Sequence, residues 1–106
     1  MAYDEDLADR VRDAVPPGAV EKPMFGGLGF MVGGHLTVAL GMGDLMVRVG
    51  SDAVPAALER PGAGPCAMGE RTMKDWVLVD SDSLTDDALA DWVGRALSFV
   101  TTLPAR

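Results

Sequence analysis

Apolar residues recur along this chain with two different periods, and the changes between them mark the elements. Between positions 4 and 15, Leu7, Val11 and Val15 recur every four residues, with Ala8 and Ala14 beside them. That spacing makes a single apolar stripe and predicts a helix. Asp4, Glu5 and Asp6 fall in its first turn, where the helix dipole favours negative charge. Pro16-Pro17-Gly18 stops it, because proline removes a donor and restricts the residue before it. An extended lead-in runs from Val20 to Phe25.

The period then drops to two. Apolar runs over 28–32 and His35 to Leu40 flank the pair Gly33-Gly34, a turn signal because glycine tolerates positive φ. Gly41-Met42-Gly43-Asp44 turns the chain again into a third strand, Leu45 to Val49. Alternation puts Leu45, Val47 and Val49 on one face, with Met46 and Arg48 on the other. In the second strand Leu36, Val38 and Leu40 form the apolar set. A two-residue turn pairs Val32 with His35 and Phe30 with Thr37, which sends Leu28, Phe30 and Val32 to the face opposite Leu36 and Val38. Either the register differs, or the second sheet face is partly apolar and needs a cover.

Further on, Gly50-Ser51 opens a short helix over 52–59, with Ser51 as N-cap and Pro55 in the first turn. Pro61-Gly62-Ala63-Gly64-Pro65 reads as a loop, 66–68 as a short strand and Gly69-Glu70-Arg71 as a turn. Met73 to Asp80 is a strand apolar on both sides around Trp76-Val77-Leu78-Val79, so it is central or covered. The last helix has the clearest period: Leu89, Trp92, Val93, Ala96, Leu97, Val100 and Leu103, opened by a Ser83/Asp86 capping box and ended by Pro104. The order α-β-β-β-α-β-β-α predicts one two-layer α+β domain over 1–106, with helices packed on one face of a mostly antiparallel sheet.

Composition narrows the function classes. The net charge is −7, with acids concentrated near both ends, which argues against direct nucleic-acid binding. The middle is near neutral, with Lys22, Arg48, Arg60, Arg71 and Lys74 set against Glu21, Asp44, Asp52, Glu59, Glu70 and Asp75. Cys66 is the only cysteine, so no disulfide forms within the chain. There is no apolar run of membrane-spanning length, and the acidic start is unlike a signal peptide. The expectation is a soluble cytoplasmic protein without a membrane segment.

Candidate chemistry is sparse. His35 is the only histidine and lacks a second ligand, so it reads as a surface residue. Cys66 has no base among its neighbours Pro65, Ala67 and Met68, and reads as packing. The glycines Gly26, Gly27, Gly29, Gly33, Gly34, Gly41 and Gly43 match no phosphate-binding pattern. Asp86, Asp87 and Asp91 lack the spacing of a calcium loop. No cofactor, metal or catalytic residue is indicated.

Lys22-Pro23-Met24-Phe25-Gly26-Gly27, the hairpin, Leu45-Met46-Val47-Arg48-Val49 and Thr72-Met73-Lys74-Asp75-Trp76-Val77 together resemble the N-terminal domain of the TfoX/Sxy family of competence regulators. Met1-Ala2-Tyr3-Asp4 and the tail helix resemble its small stand-alone members, which lack the larger regulator's second, C-terminal domain. The resemblance implies the element order just derived and a role in transcriptional regulation through protein partners, without a catalytic site. The expectation is therefore a non-enzymatic interaction domain, binding a protein partner or a second copy of itself. Its surface is expected on the second sheet face at Phe30, Val32, Met46 and Trp76. The alternative is a small-ligand or anion-binding module lined by Lys22, Arg48, Arg71 and Lys74.

Overall fold

Asp4 caps α1 (Glu5–Ala14), its carboxylate accepting from the backbone N–H of Asp6 at 2.9 Å and of Leu7 at 3.4 Å. The helix turns Leu7, Ala8 and Val11 inward. This computed structural model describes residues 4–24, 27–41, 44–68 and 71–104; the side chains of Met24, Met68, Arg71 and Thr72 fall outside that description. Met1 to Tyr3, Phe25-Gly26, Ala105-Arg106 and two pairs expected from the sequence to lie in turns, Met42-Gly43 and Gly69-Glu70, also lie outside it.

The sheet is antiparallel throughout and has six strands in the order β1-β2-β3-β4-β6-β5. They are β1 (Val20–Met24), β2 (Gly27–Val32), β3 (His35–Gly41), β4 (Asp44–Arg48), β5 (Ala63–Met68) and β6 (Arg71–Val79). The α+β class and the single helix-covered face agree with the sequence pattern. The strand count does not: the lead-in is itself a strand, pairing from Val20 opposite Met31 to Met24 opposite Gly27. Its sequence, Val-Glu-Lys-Pro-Met, carries a proline and two charges, a composition suited to a sheet edge and invisible to a period-two search. At the other edge, β5 absorbs much of the segment read as a loop, again with a proline, Pro65.

The hairpin conflict resolves in an unanticipated way. Gly33 and Gly34 have φ of 61° and 84°, the double positive φ of a tight hairpin turn, and Val32 does face His35. One residue further the register shifts: Met31 pairs with Leu36, but Phe30 pairs with Val38. Thr37 is the extra residue of a β-bulge, buried, its hydroxyl donating to the His35 carbonyl at 3.1 Å. The bulge inverts the pairing, so Leu28 and Phe30 join Val38 and Leu40 in the main core.

Three helices cover that face. α3 (Asp86–Val100) lies across β3 and β4, α1 packs on α3, and α2 (Val54–Leu58) sits at β5 and β6. α3 buries Leu89, Trp92, Val93, Ala96 and Val100, each of the larger ones worth roughly 1.5–3 kcal/mol. Two caps differ from the sequence pattern. Residues Ser51–Ala53 form a 3₁₀ turn before α2, and Ser51 makes no capping bond. α3 is capped by Thr85, whose Oγ1 accepts from the Ala88 N–H at 3.2 Å, while Ser83 belongs to a separate 3₁₀ turn opened by Asp80. Thr85→Ala is therefore expected to cost about 1 kcal/mol, read as a lower urea midpoint with an unchanged slope. α3 also ends at Val100, before Pro104, its last carbonyls taken by the Thr101 and Thr102 hydroxyls.

Candidate functional site

Alternation gives the sheet a second set of side chains on the face without helices. Ala39 on β3, Met46 on β4, Cys66 on β5 and Trp76 on β6 form a separate buried apolar cluster there. Leu36, Met73 and Leu78 pack around it and stay partly exposed. The cluster exists because β6 is apolar on consecutive positions: Val77 and Val79 face the helices, while Trp76 and Leu78 face away. Alternation from Ala63, which packs against the main core, puts Cys66 on this face, its Sγ 3.9 Å from Met73 Sδ.

The four residues expected to form one interaction surface are divided by the sheet. Met46 and Trp76 lie in the helix-free cluster. Phe30 is fully buried in the main core. Val32, two positions along β2, follows it to the helix side and is half-buried at the hairpin end. The physical cause is the bulge at Thr37, which no alternation rule supplies. Leu36, Cys66, Met73 and Leu78 were missed by sequence reasoning, although the two-sided apolarity of β6 was a usable signal.

The proposed cationic lining is also spread out. Lys22 is exposed on β1, three strands away from Arg48 on β4, a separation of roughly 14 Å at ~4.8 Å per strand. Lys74 is exposed on β6, and the Arg71 side chain lies outside the described residues. Arg48 is already engaged. It stands 3.6 Å from Asp75, donates to the Leu36 carbonyl at 3.4 Å and lies 5.5 Å from the centre of the Phe99 ring. Its Nε is buried with no hydrogen-bond partner among the described residues.

His35 and Cys66 do not converge, since β4 and β6 lie between their strands. The His35 Nε2 contacts the Pro104 carbonyl, tying the hairpin to the chain after α3. Burial pushes the Cys66 thiol above its ordinary value, the opposite of what a nucleophile needs. At pH 8 a thiol reagent should modify native protein at least about a hundredfold more slowly than urea-unfolded chain. Equal rates would mean that Cys66 is reachable from solvent. Among the described residues, no group of three His, Cys, Asp or Glu is placed to hold a metal ion, and no helix is long and apolar enough to cross a membrane.

The helix layer carries a tighter charged constellation. Asp91 Oδ2 receives both Arg95 Nε, at 2.8 Å, and an Arg60 terminal nitrogen, at 3.1 Å. The i,i+4 pair of Asp91 and Arg95 is legible on the helix; the arrival of Arg60 from the far end of α2 is not. The Arg95 hydrogen bond, followed by the nearby charges of Arg95 and Arg60, holds the Asp91 carboxyl below its ordinary value of 3.8. A carboxyl depressed by folding stabilises the fold above its unfolded pKa and ceases to do so as the pH falls through the folded one. Asp91→Asn should therefore cost up to about 1 kcal/mol at neutral pH, as exposed pairs do. In urea titrations the deficit should vanish as the pH drops below 3.8.

A family model described as the TfoX N-terminal domain matches residues 13–100. Comparisons with curated proteins and with solved structures find no match.

Proposed function

Because the chain belongs to the TfoX N-terminal domain family, we propose that it is a non-enzymatic regulatory domain that docks a protein partner on the helix-free face of its sheet. The observation that carries this reading is the second apolar cluster. A sheet face turned to solvent is usually polar. Here it holds Ala39, Met46, Cys66 and Trp76, with Leu36, Met73 and Leu78 at its outer boundary. Aromatic and methionine side chains are enriched at protein interfaces, and methionine adapts to differently shaped partners.

The sheet edges favour the face over strand addition. Both edge strands carry a proline, Pro23 in β1 and Pro65 in β5, and proline cannot donate to an added strand. The anion-binding alternative has less support, because its cations are dispersed and Arg48 is held by Asp75.

The reading is tested with Met73→Glu and Leu78→Glu, two partly exposed positions. Each variant and the wild type is used for affinity capture from the native host, with light scattering to detect self-association. Specific capture or dimerisation by wild type, lost in both variants at unchanged melting temperature, is the expected result. Partners retained by both variants would remove this face as the docking surface.

A further inference from the structure

A groove between α2 and the C-terminal half of α3 lies in the helix layer, away from the face just discussed. It encloses about 380 Å³, within the range of about 300–1,000 Å³ typical of small-molecule sites. Val49, Ala53, Ala57 and Phe99 supply its apolar walls, and Ser98, Thr102 and Arg95 bring polar groups to it. The Phe99 wall is preset by its neighbours. The ring lies against Gly50, where a Cβ would come within 2.5 Å of Phe99 Cδ1, and Arg48 stands over it at 5.5 Å.

The electrostatics at this groove run against those of the chain. The net charge is −7, yet Arg60 and Arg95 share the single carboxylate of Asp91. Both guanidiniums also stand over the Trp92 ring, at 5.9 and 5.8 Å from its centre. Two cations against one carboxylate leave a positive charge beside the groove. Asp52 and Glu59, on the segments flanking α2, are exposed and make no ion pair with either arginine among the described residues. Arg95 donates to Asp91 through Nε and makes no other hydrogen bond to a described residue. Its terminal nitrogens keep the planar donor pair that fits a carboxylate.

We propose that this groove binds a small organic monocarboxylate, its apolar body against Val49, Ala57 and Phe99 and its carboxylate on Arg95 and the Ser98 hydroxyl. The apolar walls select against inorganic anions, which have no surface to bury. The cationic rim selects against neutral or cationic ligands of the same shape. This site is independent of the sheet face, so its failure would leave that reading untouched.

The test titrates the ¹⁵N-labelled chain with phenylacetate, 2-phenylethanol and phenethylammonium at constant ionic strength. Phenylacetate is expected to give saturable amide shifts at Ala53, Ala57, Ser98 and Phe99, with the other two probes giving none. Losing a charge-assisted hydrogen bond predicts a Kd raised about tenfold or more in Arg95→Gln. Ser98→Phe, which fills the groove from an exposed position, should abolish the shifts while the remaining spectrum stays native. The proposal is overturned by absence of saturation, by equal response to the alcohol or the amine, or by an unchanged Kd in a natively folded Arg95→Gln.

Discussion

Gly27→Ala is expected to destabilise the fold by about 3 kcal/mol or more, because the added methyl group meets backbone of the neighbouring strand. A Cβ built at Gly27 falls 1.7 Å from the Leu40 carbonyl oxygen, 2.8 Å from the Leu40 carbonyl carbon and 3.1 Å from Gly41 Cα. All three are backbone atoms of the neighbouring strand, so no rotamer change relieves the overlap. β2 and β3 must part at the end where Leu28 pairs with Leu40, and both of those side chains belong to the main core. Overpacking a core ordinarily costs about 1–3 kcal/mol, and a clash against fixed backbone lies at or above the upper end. A domain of this size is stable by only about 5–15 kcal/mol. Circular dichroism and urea titration decide the matter. A wild-type melting curve would mean that the two strands lie further apart at this point than the structure has them.

Phe30→Ala comes second, with an expected loss of about 3–5 kcal/mol. Phe30 is fully buried among Leu28, Val38, Leu40 and the residues of α3 that roof them. Truncation leaves a cavity that a sheet pinned on both sides cannot close. Val32→Ala, at the half-buried hairpin end, is expected to cost under about 1 kcal/mol. The contrast between these two residues of one strand, measured as urea midpoints at constant slope, tests the bulge itself. Without the bulge, Phe30 would sit on the helix-free face and the two costs would be similar.

The helices were readable because their signals are local. The stripe of α3 and the acidic first turn of α1 each lie within one short window, and both helices appear where the period places them. Caps were less legible. Ser83 and Thr85 are both competent N-caps, and the choice between them falls to the 3₁₀ turn that Asp80 opens. The lead-in from Val20 was readable as extended but not as a paired strand, because edges are written in charges and proline, the same letters as loops.

The candidate sites were harder still. Met46 and Trp76 were identified as facing away from the core, but Met73, three positions from Trp76, joins them only through the register shift between Pro65 and Ala67. The groove beside α3 left no mark along the chain beyond the Asp91–Arg95 spacing, since Val49, Ala53 and Ala57 meet the residues of α3 there from separate elements.

The amino-acid sequence by itself determined the class of fold, the element order apart from the β1 edge strand, the glycine turn and the family, because periodicity and turn chemistry act between residues close along the chain. Tertiary structure alone decided that Phe30 points inward, that β1 joins the sheet, and that one carboxylate serves two arginines. Those outcomes depend on which distant side chains compete for the same volume or the same charge, and that competition exists only once the layers have closed.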